Sequence, residues 1–301
     1  MKKILLSVAL VLAVILACSP LTLPPQASQP GVETIVAATM QSLLSSPMPQ
    51  NPPLAETPTV FPPIFAGTPL QFANLSLTIP PGLAVGGSGV QIPPASGEEV
   101  EPWNITPGHL ELTLTAYAIP NHFHQPRIFI FPAQAYAALH DGAANNILRL
   151  QTILANPSLP LTEDQIPFVP FFNAGAAFTA QMQVIPFQNG LGVRMLTQYG
   201  QAVAPANNHG LFYHFQGLTH DGQIYVIAVL PVSAPFLAAD WEAPLPADGI
   251  PFPGYDNPDT VAFNDYYRQV IERLNTTPPE AFSPSLTLLD ALVESLNITA
   301  P

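Results

Sequence analysis

Proline placement constrains this chain more than any other feature of its sequence. Proline cannot donate to a helix or sheet ladder and fixes φ near −65°, so regular structure is shut out wherever it is dense. The chain carries 38 prolines in 301 residues, more than twice the ~5% usual in globular proteins. They are unevenly spread, with twelve of them in residues 19–69 among Thr, Ser and Gln and almost no charge. Such a segment reads as a tether of polyproline II and coil. One island interrupts it, where Val32, Ile35, Val36, Met40, Leu43 and Leu44 recur at helical spacing and predict a short helix over 32–45. A helix of that length is marginal alone in water and needs the membrane surface or the folded domain as partner. As a flexible coil of ~50 residues, the tether spans roughly 35–40 Å root-mean-square.

Ahead of the tether, Lys2 and Lys3 give a positive start, and Ile4 to Ala17 is an uncharged, almost wholly apolar run of 14 residues. That is the size of a signal-peptide core and short of the ~20 residues that span a bilayer. The run ends Ile15-Leu16-Ala17-Cys18. This resembles the bacterial lipobox, with Ile15 where Leu is usual. The resemblance implies removal of residues 1–17, diacylation of the Cys18 thiol, and a mature N-terminus at Cys18. Two acyl chains hold a protein stably on a membrane where one holds it only marginally. The expected location is therefore extracytoplasmic, on the outer face of the cell membrane, with the membrane as the first partner. Cys18 is the only cysteine in the chain. As a whole the chain resembles secreted bacterial lipoproteins built from a proline-rich stalk and an extracytoplasmic domain.

Charge removes several classes of function. Beyond the signal the cations are Arg127, Arg149, Arg194, Arg268 and Arg273, against 20 acidic residues. Nucleic acid is not an expected partner, because binding it requires clustered Lys and Arg. Docking on anionic lipid by charge is equally disfavoured, which leaves the lipid as the anchor. Without lysine after Lys3 there is no Schiff base, P-loop or Ser-Lys pair. Without a second cysteine there is no disulfide, thiolate zinc site or iron–sulfur cluster. No cofactor is expected.

From residue 70 to 301 the pattern is that of a single α+β domain. Leu75, Leu77 and Ile79 alternate, as do Leu110, Leu112 and Leu114, and Arg127 to Phe131 is a compact apolar run. Residues 82–107, rich in Gly and Pro, predict turns or an elaborate loop, and Gly86-Gly87-Ser88-Gly89 within them a flexible turn. Ala133 to Asn156 predicts a helix that Gly142 bends or splits. Four strands then follow as an antiparallel meander: Gln181 to Phe187, a turn at Asn189-Gly190, Leu191 to Tyr199, Leu211 to Leu218, a turn at Asp221-Gly222, and Ile224 to Leu230. Residues 234–258 predict a loop. Helices close the chain, one capped by Asn257-Pro258-Asp259 with Phe263, Tyr267, Val270 and Leu274 on one face, the other starting at Ser283-Pro284. This order resembles the PsbP-like α/β sandwich, implying an antiparallel sheet with helices packed on it.

Each candidate site has a plain alternative. His122 and His124 flank Phe123, and on a strand both would face one metal, with His109 or His140 as a third ligand only by tertiary approach; between Pro120 and Pro126 a loop is the favoured reading. His214 and Gln216 share a predicted strand face with Phe212 and Leu218, where they either contact a ligand or satisfy neighbours at a sheet edge. Asp240, Glu242, Asp248, Asp256 and Asp259 supply oxygen ligands without an EF-hand pattern. Glu98 and Glu99 are adjacent, which on a strand puts them on opposite faces. Phe168, Phe171, Phe172 and Phe178 form a proline-stiffened aromatic run for the core or a partner. No metal site and no catalytic residue is assigned from these. The leading expectation is a non-catalytic binding or assembly module with a protein or small ligand as partner. The alternatives are an envelope or extracellular hydrolase using His, carboxylate or metal, and a solute-binding protein.

Overall fold

The computed structural model describes residues 65–167, 173–256 and 260–299. The expected signal segment, Cys18, the expected 32–45 helix, Phe168, Phe171, Phe172 and the expected Asn257-Pro258-Asp259 cap lie outside them. Contacts divide the chain after Phe61, and the description below concerns the unit that begins at Pro62.

That unit is α+β, as the sequence predicts. Among the described residues its eleven strands are β1 (Thr68–Phe72), β2 (Leu75–Ile79), β3 (Gly86–Ile92), β4 (His109–Thr115), β5 (Arg127–Pro132), β6 (Gly175–Ala176), β7 (Ala180–Phe187), β8 (Gly190–Gly200), β9 (Leu211–Thr219), β10 (Ile224–Pro231) and β11 (Asn297–Ile298). The helices are α1 (Ala133–Leu139), α2 (Asp141–Leu154), α3 (Thr260–Thr276) and α4 (Leu286–Glu294). Eight strands form one antiparallel sheet in the order β3-β4-β5-β10-β9-β8, with β6 and β7 sharing the outer side of β8. The predicted meander is its β7–β10 half. A smaller sheet, β1-β2-β11, joins the domain's first strand to its last.

The large sheet is covered on both faces, which explains why every residue of β9 and β10 is buried. On one face Leu110, Leu112, Ile128, Val226, Tyr213 and Phe215 pack with β2 and with Val270 and Leu274 of α3 and Leu286, Leu289 and Leu292 of α4. On the other, Phe131, Val193, Met195, Phe212, Tyr225 and Ile227 pack with Tyr136 of α1 and Ala143, Ile147 and Leu150 of α2. Successive strand residues point to opposite faces, so β5, β8, β9 and β10 each serve both cores.

Four sequence expectations change. Residues 82–107 hold a full strand, β3, in register with β4 from Gly86↔Thr115 to Ile92↔His109. Gly86-Gly87-Ser88-Gly89 is part of that strand and not a turn. The reason is close packing, since a Cβ at Gly89 would sit 2.2 Å from the Phe72 ring. β1 begins at Thr68, two residues before the expected boundary, and its Pro69 is tolerated because β1 is an edge. The helix after β5 splits at His140, whose Nδ1 accepts from the amides of Gly142 (2.9 Å) and Ala143 (3.3 Å) and caps α2. The β7–β8 turn is Gln188-Asn189, with Phe187 paired to Gly190. Gly190 is required for approach and not for φ, since a Cβ there would meet Phe187 Cζ at 2.0 Å and the Leu218 carbonyl at 2.4 Å.

Two polar devices tie the helices to the sheet. Gln181 stands at an irregularity of β7 and donates to the carbonyls of Leu274 (2.8 Å) and Thr277 (3.2 Å), satisfying the exposed end of α3. Tyr266 and Tyr267 of α3 accept from the amides of Ala206 and Ala204, which fixes the connection between β8 and β9. Asn207 and Asn208 belong to the same construction. The Asn208 amide donates to Ala234 and Leu237 carbonyls, and Asn207 Oδ1 accepts from the Gly210 amide.

Candidate functional site

The α1/α2 face carries a line of polar side chains through its apolar packing. On β9, His214 is fully buried, and neither ring nitrogen has a partner of full hydrogen-bond geometry. Burial depresses its pKa to about 3, against an opposing effect of the Ala228 carbonyl. Gln216 is also buried. Its Nε2 donates to the Pro167 carbonyl at 2.6 Å and its Oε1 accepts from the Tyr225 hydroxyl. So the two residues do share a strand face as predicted, but that face is covered and neither reaches solvent.

Beyond His214 the line reaches His124. The segment His122 to His124 is a loop, not a strand, and it is pinned to the β8–β9 connection by Phe123 N donating to the His209 carbonyl at 2.8 Å. His124 is turned inward against Phe212 at 4.4 Å between ring centroids, with Tyr199 at 6.5 Å. Burial, helped by His122 and His209, depresses its pKa to about 4. His122 turns toward Tyr117, whose ring stands edge-on at 6.1 Å. The residues expected to complete a metal site are elsewhere and engaged. His109 stacks on Phe131 at 4.3 Å, contacts the Pro107 carbonyl and pairs with Glu111 at 3.3 Å, while His140 caps α2. That hydrogen bond from His109 holds the Glu111 carboxyl below its usual range. Among the described residues no group of three His, Cys, Asp or Glu is arranged to hold a metal.

At the solvent end of this line an open cleft of about 600 Å³ begins. Three connections and one strand end build it. Trp103 and Asn104 come from a 3-10 turn, Pro102–Asn104, in the β3–β4 loop, whose base is held by an Ala95–Thr106 bridge. Phe123 and His124 come from the β4–β5 connection, Asn173 and Ala174 from the approach to β6, and Tyr199 to Gln201 from the end of β8. Gln201 Nε2 donates to the Asn173 carbonyl at 2.8 Å, which ties the end of β8 to the approach to β6. Phe123 is 70% exposed. None of these nine lining side chains is charged at neutral pH, because His124 stays neutral well below it.

Of the histidines named from the sequence, only His124 lines the cleft. Trp103, Asn104, Asn173, Tyr199 and Gln201 escaped sequence reading. A signal for Trp103 was available: it is one of two tryptophans and sits in a Pro/Gly-rich loop that has little core of its own to fill.

Other candidates resolve into structure. Glu98 and Glu99 lie in a turn, not a strand. Asp240 Oδ1 accepts from the amides of Glu242 and Ala243, and Asp248 pairs with Arg273 at 2.6 Å. Phe178 is core. A hollow of about 380 Å³ beside His109 is lined mainly by apolar groups, including Leu110, Ile130 and Ile224. Under the opposite face, Arg194 is buried against Asp290 of α4 at 3.3 Å, and Tyr213 donates to the same carboxylate at 2.9 Å. Burial pushes the Asp290 carboxyl up more than Arg194 and Tyr213 pull it down.

No family model, curated protein or solved structure matches the chain.

Proposed function

We propose that this chain is an extracytoplasmic lipoprotein, held on the outer face of the cell membrane through Cys18, whose α+β domain is a non-catalytic binding module. The observation that carries the binding reading is the cleft itself. Its volume lies within the 300–1,000 Å³ of small-ligand sites, and it combines aromatic walls with a few convergent neutral polar groups, the composition by which such sites hold and orient a ligand. The anchor rests on Lys2, Lys3, the 14-residue apolar run and Ile15-Leu16-Ala17-Cys18. No helix among the described residues is long and apolar enough to cross a membrane.

Two experiments test the two halves. Cys18→Ala should move the protein from the membrane fraction to the soluble fraction, and retention on membranes refutes the lipid anchor. For the cleft, Trp241→Phe leaves Trp103 as the only tryptophan; Trp241 lies in the 234–258 loop and is 70% exposed. The full chain is then titrated with neutral oligosaccharides, a proline-rich peptide and choline, following tryptophan emission. A saturable change with at least one class supports the binding module, and no saturable change with any class overturns it.

A further inference from the structure

The cleft's chemistry selects among ligand classes. An anionic ligand finds no cation in the lining, and a cationic one finds no carboxylate there. A wholly apolar ligand would strip water from the exposed amides of Asn104 and Asn173, neither of which has a side-chain partner among the described residues, and give nothing back. What remains is a neutral ligand that presents apolar faces and hydroxyls together.

The aromatic groups are disposed for such a ligand. Phe123 and His124 stand edge to face at 4.9 Å and form one wall with Tyr199. Trp103 lines the same cleft from the β3–β4 loop and has no ring partner among the described residues. Around the cleft lie hydrogen-bonding groups of both senses: the amides of Asn104 and Asn173, the indole N–H of Trp103 and the Gln201 amide. His124 lines the cleft as a neutral imidazole.

We infer that the cleft binds a neutral saccharide, with Trp103 stacking on a C–H face of one sugar ring and the Asn104 and Asn173 amides bonding its hydroxyls. This rests on the binding-module reading above and sharpens it to one ligand class. A proline-rich peptide also suits aromatic walls, and a quaternary ammonium suits an aromatic cage; both are competing outcomes of the test.

The test uses the full chain carrying Trp241→Phe, in a detergent without a sugar headgroup, with maltohexaose, cellohexaose, xylohexaose and mannohexaose as neutral probes. Polygalacturonate, choline chloride and a decaproline peptide are the comparators. A saturable shift of Trp103 emission is expected with at least one neutral oligosaccharide and not with polygalacturonate. By calorimetry, Trp103→Ala should bind that oligosaccharide at least about tenfold more weakly, as truncation of an aromatic anchor usually costs. Asn104→Ala, an exposed side chain with no bond to the fold, should also weaken binding and guards against misfolding of the tryptophan variant. Response to decaproline or choline alone overturns the saccharide inference and leaves the binding module standing. Equal affinity of wild type and both variants for the sugar places the binding elsewhere and overturns the inference as well. Silence from every probe overturns both readings.

Discussion

The two faces of strand β9 are made by alternate residues of one nine-residue sequence, and they have been put to different use. Leu211, Tyr213 and Phe215 point into the core under α3 and α4, where the only buried ion pair described is the Arg194–Asp290 contact. Phe212, His214, Gln216 and Leu218 point under α1 and α2, where imidazoles and amides run through the packing until they reach the cleft. Each buried polar group costs desolvation that an apolar residue would not. A sheet face that keeps several of them, leading to an open concavity, is therefore the face on which function is expected, while the opposite face holds the fold together. The contrast teaches where to aim: the first face should answer in stability, the second in binding and in pH response.

The largest expected effect lies on the structural face. Asp290→Ala leaves Arg194 buried without its counter-charge, and breaking a buried pair by one partner costs about 3–5 kcal/mol. Urea unfolding of the full chain measures it. Arg194 already has Nη1 without a hydrogen-bond partner, so the pair is imperfectly satisfied. The double variant Arg194→Met with Asp290→Leu should accordingly recover most of the loss. A double variant as unstable as the single one would show that the charges, and not their packing, hold α4 to the sheet.

Acid should act through the other face. The folded-state pKa values of His124 and His214, about 4 and about 3, lie below the ordinary value near 6.5. On acidification below 6.5 the unfolded chain takes up protons at these rings that the folded chain refuses, so stability falls as pH falls. At pH 5 the loss is about 2 kcal/mol per histidine relative to pH 7.5. Asp290, with its carboxyl raised by burial, works in the opposite sense but closer to its own range near 3.8. His214→Phe should remove about half of the slope. A slope unchanged in that variant would refute the assignment of the acid response to this face.

A smaller effect tests how tightly the small sheet sits on the large one. Gly89→Ala drives a methyl group into the Phe72 ring, and overpacking of this kind typically costs about 1–3 kcal/mol. Phe72→Leu in the same chain should recover part of it. If Gly89→Ala is neutral by urea midpoint, β1 is free to shift and the contact is loose.

How far the sequence could be read follows the same division. The β7–β10 meander was legible because long apolar runs bounded by Asp221-Gly222 and similar turns carry strong local signals. The α4 stripe of Leu286, Leu289, Leu292 and Val293 was legible for the same reason. β3 was not, because its glycines answer to Phe72 across a long sequence gap and look like a turn locally. β11 is two residues long and exists only through pairing with β2. For the site, His124 was visible as a residue but not as a lining group, since its neighbours Trp103, Asn173 and Tyr199 come from three other segments. Conversely, His214 and Gln216 were visible by strand alternation, but burial depends on α1, α2 and the chain up to Pro167, which alternation cannot report.

The most direct test of the account takes both readouts from one protein. Trp103→Ala should keep its unfolding free energy, measured in urea, to within about 1 kcal/mol of wild type, as substitutions away from the core do, while its calorimetric affinity for the neutral oligosaccharide falls at least about tenfold. Undiminished affinity in a well-folded Trp103→Ala protein would contradict the assignment of function to this face of the sheet.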